Sequence, residues 1–461
     1  MDLLLTHGYF LTEDPKELEI MKPYPPLGIL YLSSHLRSKG FDVEVYDSTF
    51  GSRAELLGIF EKAAPCVVGI AANLMTRRNA LDLTAAARAA GCTVVVGGPE
   101  PANYAREYLD AGAQVVVEGE AEITMEELLP ALEKNDLSAL AQVRGISFRA
   151  PGGQIARTQP RELIANLDAQ PWPDRERIDI GRYLRAWRER HGVGSVSVIT
   201  ARGCPYHCRW CSHSTYGTTH RRRSPGNVAD EVEAVVARYQ PDMLWMADDV
   251  FTIHRGWTLQ YAAELKRRGL WIPFECITRA DRLSAELADA LAAMGCFRVW
   301  IGSESGSQRV LDAMQRGVRV EQVRNAVRLC RERGIQTGMF LMWGYEGEEL
   351  EDIEATVEHV KTCLPDVFFT TVAYPIKGTP YYNEVAPRLV RDIVWPQSTD
   401  RDFKIRGRHS RRFYSHADTL LKSEVALHRL GAGDSAEALN LRSRIAAARQ
   451  AMDATFQEVE A

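Results

Sequence analysis

The feature that most limits what this chain can become is a double series of short β-rich runs separated by helix-compatible stretches. In the first series the runs are Leu3-Leu4-Leu5, Val43 to Tyr46, Val67 to Ile70, Val94 to Val96 and Val115 to Val117. Leu27 to Lys39, Arg53 to Ala63, Arg77 to Ala90 and Tyr104 to Ala111 lie between them. Alternation of this kind gives a parallel sheet with helices on both faces, and its ligands sit beyond the carboxyl ends of the strands. Those ends carry Thr6-His7-Gly8, Asp47, Asn73, Gly97-Gly98-Pro99 and Glu118-Gly119-Glu120. No G-x-G-x-x-G follows the first run, so a dinucleotide is a poor fit for this edge.

A second series starts at Ser195 to Ile199 and continues through Met243 to Met246, Phe274 to Ile277, Phe297 to Ile301, Gly338 to Met342 and Val367 to Val372. Helical stretches such as Asn227 to Tyr239, Trp257 to Arg268, Ala285 to Met294 and Val320 to Arg333 separate these runs. Six such units predict a full or partial (β/α) barrel, with its chemistry on loops at the C-terminal strand ends. Between the two series the pattern loosens. Pro151-Gly152-Gly153 reads as a hairpin turn and Pro171-Trp172-Pro173 as an extended breaker. After the last run, Thr419 to Leu430 and Ala436 to Val459 are helix-prone and parted by Gly431 and Gly433, as in an accessory cap. The fold class is α/β, and 461 residues suffice for about three domains.

Composition narrows the partners. A chain that is 45% hydrophobic and 25% charged is a folded globular protein. Its 56 Lys+Arg against 61 Asp+Glu leave a formal charge of -5, which argues against a globally basic nucleic-acid binder. No basic region precedes the short apolar run at the start, and Glu13 and Asp14 follow it, so it reads as a strand rather than a signal peptide. No stretch approaches the roughly 18 consecutive apolar residues of a membrane-spanning helix. Nine cysteines, an odd number thinly spread, argue against a disulfide framework and for thiols kept reduced in the cytoplasm.

Three of those cysteines are not thinly spread. Cys204, Cys208 and Cys211 fall within eight residues, Cys204-Pro205-Tyr206-His207-Cys208-Arg209-Trp210-Cys211, just after the first barrel run. Three thiolates on one strand-end loop can converge on a soft metal centre, as iron–sulfur ligation requires. Zinc is the competing reading, with His207 or His213 as a fourth ligand. Cys66, Cys92, Cys276, Cys296, Cys330 and Cys363 stand alone in apolar or helical runs and read as core.

This C-x3-C-x2-C spacing, with aromatic Trp210 before the last cysteine, resembles the signature of the radical SAM superfamily. The resemblance implies that the three thiolates hold a 4Fe-4S cluster whose open iron chelates S-adenosylmethionine. Reductive cleavage then gives methionine and a 5′-deoxyadenosyl radical. Other matches follow at later strand ends. Tyr206 and Trp210 are implied S-adenosylmethionine contacts, and Asp248-Asp249 stands where the superfamily binds the methionine ammonium, in place of its usual glycine-rich form. Arg279 is placed for the methionine carboxylate, Glu304-Ser305 for the ribose hydroxyls and Met342-Trp343-Gly344 for adenine.

The first series in turn resembles the cobalamin-binding domain that precedes many radical SAM barrels. Tyr24-Pro25-Pro26-Leu27-Gly28, Val96-Gly97-Gly98-Pro99 and Glu118-Gly119-Glu120-Ala121-Glu122 carry the likeness. Together the two resemblances imply a cobalamin-binding Rossmann-like domain over 1–137 and a linker with small β elements over 138–192. A partial (β/α)6 barrel over 193–390 and a helical cap over 391–461 complete the chain. The implied cobalamin contacts are His7, Leu27, Gly28, Asn73, Leu74, Gly97, Gly98, Glu118, Gly119 and Glu120. Asp-x-His-x-x-Gly is missing, so a bound cobalamin is expected to lack a histidine on cobalt and to turn its lower face to Asn73-Leu74-Met75.

The expected activity is functionalisation of an unactivated carbon, foremost C-methylation, with radical cyclisation, oxidation or carbon–carbon bond formation as alternatives. A flavodoxin- or ferredoxin-like reductant would supply single electrons. Tyr206, Phe251, Trp343, Phe369 and Tyr374 near strand ends suit a small apolar substrate. Arginine-rich segments at 219–225 and 406–412 admit a tRNA-modifying alternative. The net negative charge favours their serving the protein instead, so no nucleic-acid partner is expected.

Overall fold

The structure, a computed structural model, describes residues 1–63, 67–134, 137–431, 433 and 435–460; Cys66 lies outside the described residues. The first series becomes β1 (Leu3–His7), β2 (Val43–Val45), β3 (Val67–Ala71), β4 (Thr93–Gly97) and β5 (Val115–Val117), followed by a hairpin of β6 (Ile146–Arg149) and β7 (Ile155–Arg157). The sheet order is β2-β1-β3-β4-β5-β6-β7, parallel through β5 and antiparallel beyond it. Strand side chains alternate between two covered faces. Leu4, Val68, Ile70, Val94, Val96 and Val116 pack on one, and Leu3, Leu5, Val43, Val95, Val115 and Val117 on the other. Gly152 and Gly153, at φ 95° and 85°, make the hairpin turn. The hairpin itself covers the free edge of β5.

The second series becomes β8 (Ser195–Val198), β9 (Ala201–Arg202), β10 (Arg221–Arg222), β11 (Met243–Met246), β12 (Phe274–Thr278), β13 (Cys296–Glu304), β14 (Gln336–Trp343) and β15 (Val367–Val372). Six of these make a sheet in the order β8-β11-β12-β13-β14-β15, in which β12 to β15 pair in parallel. The order ends at β8 and β15, as a partial barrel requires.

By compactness the chain divides into one unit of Met1–Pro205, Ser212–Trp245 and Val394–Thr399, and another of Tyr206–Cys211, Met246–Ile393 and Asp400–Ala461. In the first unit, the stretch read as a loose linker also holds a helix, Ile180–His191. Its Ile180, Tyr183, Leu184 and Trp187 form a buried stripe at helical spacing. Residues 394–399 of the same unit close over an aromatic socket. Trp395 lies 5.2 Å from the ring of Tyr104 and 5.5 Å from that of Tyr108, and Arg77 donates to the Ser398 carbonyl at 2.7 Å.

In the second unit, the helix expected from Thr419 begins earlier, at Arg411. There the Ser410 hydroxyl accepts the Phe413 N–H and so caps the first turn. This helix and the one over Ala436–Thr455 pack with Leu341, Trp343, Ile353 and Val357. Cys92, Cys276, Cys296, Cys330 and Cys363 are buried. Among the described residues no helix is long and apolar enough to cross a membrane.

Candidate active site

The cysteine loop leaves β9 and returns as β10, which pair antiparallel to close its neck. Gly203, at φ 85°, is required there: a Cβ would drive into the carbonyl oxygen of Thr219. The arginines beyond the loop serve the neck. Arg221 donates to Glu120 and to the Ile164 carbonyl, each at 2.7 Å, and Arg222 donates to the Thr200 hydroxyl at 2.8 Å. Arg223 is buried on Asn227, the Ile199 carbonyl and Glu231. In the other basic segment, Arg408 pairs with Glu460 and Arg412 with Glu458. The returning half of the loop is seated on the carboxyl edge of the first sheet. The Ser214 hydroxyl donates to the Pro99 carbonyl, and the Thr215 carbonyl lies 3.6 Å from where a Gly119 Cβ would stand.

Cys204 is half-buried, Cys208 buried and Cys211 exposed. Among the described residues no three His, Cys, Asp or Glu side chains stand at metal-binding distance. A metal gathers its own ligands as it binds. The donor chemistry around Cys208 fits such a group. Arg316 Nη1 lies 3.6 Å and Arg279 Nη1 3.9 Å from its Sγ, so two buried guanidiniums face one sulfur. The Nε of Arg316 is buried without a hydrogen-bond partner, 3.7 Å from the Glu304 carboxylate.

Around these lie the other expected contacts of the second unit. Tyr206 stacks under Arg279, whose guanidinium carbon is 3.6 Å from the ring centroid. The remaining nitrogens of Arg279 donate to Asp281 at 2.9 Å and to the Arg316 carbonyl at 2.8 Å, which fixes the guanidinium in place. Trp210 meets Tyr345 edge-on at 6.4 Å and shares an apolar cluster with Met342. Asp248 is buried and Asp249 exposed. Glu304 is buried in the left-handed region at φ 60°, an uncommon conformation for a side chain of its size. Burial pushes its carboxyl upward against the opposing pull of Arg316 and Arg279. The Ser305 hydroxyl bonds Thr356 at 3.1 Å and accepts the Ser307 N–H, so it shapes the turn.

In the first unit, His7 is fully engaged. Its Nε2 bonds Asp47 at 3.0 Å, and its Nδ1 faces the Tyr9 N–H and the Ser48 hydroxyl. His35 is likewise held between Gln170 and Glu126. Neither has a ring nitrogen left for cobalt. The carboxylates of Glu118 and Glu120 are paired within the protein. Glu118 accepts from Ser147 and Arg157, and Glu120 from Arg202, Arg221 and the Ile164 N–H, because buried charge has to be paired. What these positions offer a ligand is backbone. Gly98, at φ 114°, answers to the fold, since a Cβ there would meet the Ala72 carbonyl. Gly97 and Gly119 are less crowded, Leu27 is buried and Gly28 has open space around it. The Asn73 side chain accepts the Met75 and Thr76 N–H groups, so the 73–75 loop is ordered with Leu74 half-buried and Met75 exposed.

Sequence reasoning missed Arg316, which follows a short helix rather than a strand end. The one local signal is its setting between Gln315 and Gly317, both left-handed, at φ 51° and 63°.

Comparison with known proteins agrees with this geometry. The Radical SAM superfamily matches residues 198–360 and the B12 binding domain residues 18–129. The chain is 30% identical over 401 residues to an uncharacterized methyltransferase of Pyrococcus horikoshii, covering 84% of each. It is 25% identical to the anaerobic magnesium-protoporphyrin IX monomethyl ester cyclase of Rubrivivax gelatinosus, covering 83% of this chain and 72% of that one. Its fold matches TsrM, a radical S-adenosylmethionine methyltransferase of Kitasatospora setae solved with cobalamin and a 4Fe-4S cluster. The TM-score is 0.72 at 20% identity, over 99% of this chain and 100% of that one. The cofactors of such a chain are a 4Fe-4S cluster, S-adenosylmethionine and cobalamin. The chain belongs to the radical SAM superfamily and, within it, to the enzymes that carry an N-terminal B12 binding domain.

Proposed function

We propose that this enzyme is a cobalamin-dependent C-methyltransferase acting in the cytoplasm on a small, largely apolar molecule, with electrons from a flavodoxin- or ferredoxin-like protein. The observation that carries this reading is the seating of the cysteine loop on the carboxyl edge of the B12 binding domain, through Ser214 on Pro99 and Thr215 beside Gly119.

When bound, the cluster supplies an electron to S-adenosylmethionine and cobalamin supplies the methyl group. The chain's own part is to hold them. Cys204, Cys208 and Cys211 ligate the cluster. Asp248 and Asp249 offer negative charge to the methionine ammonium, and Arg279 with Arg316 sets positive charge against its carboxylate. Glu304 accepts from the ribose, while Met342, Trp210 and Tyr206 give the nucleoside an apolar wall. On the first sheet Leu27, Gly28, Gly97, Gly98 and the 118–120 backbone receive the corrin. With His7 and His35 both engaged, the Asn73-Leu74-Met75 loop would help hold the corrin in place of a protein histidine.

Anaerobic reconstitution tests the whole reading. The expected result is bound iron and sulfide, a corrin absorbance and, after reduction, both 5′-deoxyadenosine and S-adenosylhomocysteine. Failure to release 5′-deoxyadenosine would overturn the radical enzyme, and lack of a corrin band would overturn the cobalamin step. Similarity to a ring-forming cyclase supports one other outcome. That enzyme class would release 5′-deoxyadenosine without S-adenosylhomocysteine.

A further inference from the structure

Arg316 is an expensive residue to place. It is 8% exposed and sits in a turn whose two flanking residues are both left-handed, one of them the non-glycine Gln315. Burying a guanidinium costs several kcal/mol unless charge and hydrogen bonds offset it. The offsets are partial. Nη2 donates to the Gly302 carbonyl at 2.9 Å, Nη1 faces Cys208 Sγ at 3.6 Å, and Nε is 3.7 Å from Glu304 without a hydrogen bond. The Arg316 carbonyl, in turn, receives Arg279 Nη2, whose Nη1 faces the same sulfur. The turn therefore delivers two guanidiniums to one of the three thiols.

We propose that Arg316 is a positioning residue that sets the reduction potential of the cluster bound through Cys208. This rests on the cluster assignment made above. The step is the uptake of one electron from the external reductant, with no bond made or broken, and it adds one negative charge to the cluster. A guanidinium donating N–H···S to a ligating thiolate stabilises the more negative state, so it raises the potential. Arg316 would thus bring cluster reduction within reach of a physiological donor.

The test is an EPR-monitored redox titration of the full chain, reconstituted anaerobically with iron and sulfide. S-Adenosylmethionine is left out, so that its binding cannot contribute. Arg316→Gln keeps an N–H donor but removes the charge. Arg316→Lys keeps the charge but cannot span Gly302 and Cys208 together. Both are expected to titrate at lower potential than the wild type, the Gln variant further. At a fixed potential its oxidised-to-reduced ratio should rise at least about tenfold, which is about 59 mV for one electron. A wild-type potential in either variant that loads iron fully overturns the proposal, and using two variants guards against one failing to load. If the wild type itself takes up no four-iron cluster, the cluster assignment fails rather than the role of Arg316.

Discussion

Cys208 differs from the other two loop thiols in being buried between guanidiniums. Cys208→Ala is therefore expected to abolish cluster retention and, in addition, to remove the sulfur that two buried guanidiniums face. Its cost in stability should be roughly 1–3 kcal/mol, larger than for the exposed Cys211→Ala. Iron analysis and urea unfolding of the two variants side by side check this. Glu348 is a second residue under strain. Burial pushes its carboxyl up from 4.5 to about 8, against the Gly344 N–H, which donates to Oε2 at 2.6 Å. Oε1 is buried with no partner. Between about 4.5 and about 8 the native state keeps a proton that the unfolded chain has lost, so stability falls as pH rises, by about 1.4 kcal/mol per pH unit. Glu348→Gln should flatten that slope in unfolding midpoints measured across the same window.

At the scale of elements, the neck of the cysteine loop depends on one backbone conformation. Gly203→Ala combines a left-handed φ with a clash on Thr219 and is expected to cost about 1–3 kcal/mol and to lower iron loading. Gly28→Ala, with open space around it in a helix, should leave stability within about 1 kcal/mol of the wild type or raise it. Any effect it has on corrin uptake would then report contact rather than fold. The elements also show where sequence was legible. Parallel strands buried on both faces are written as Val67-Val68-Gly69-Ile70 and Val115-Val116-Val117, and each appeared where those runs stand. The 180–191 helix was not legible, because its four buried residues are interleaved with six arginine, glutamate and histidine residues in a stretch opened by prolines. Motif spacing likewise marked the cysteines. Arg316 reaches Cys208 through tertiary packing, and the pairing of the Glu118 and Glu120 carboxylates with Arg157, Arg202 and Arg221 likewise leaves no trace in local sequence.

Across the whole molecule, the residues proposed for corrin lie in one compact unit, and those for S-adenosylmethionine in the other. Replacing Cys204, Cys208 and Cys211 together by alanine should accordingly remove iron while corrin absorbance persists, which a single visible spectrum and an iron assay can show. Loss of both cofactors would mean that the loop's seat on Pro99 collapses without the cluster. One further property follows from Trp395 and Ser398, which fill the socket of Tyr104, Tyr108 and Arg77. Protein synthesis runs from the N-terminus at ~5–20 residues per second. The N-terminal unit, nearly all of which has been made by Trp245, therefore waits on the order of 10 s or more for residues 394–399 to leave the ribosome. During that interval its aromatic socket is open, and the nascent chain is a natural client for a chaperone that covers exposed rings.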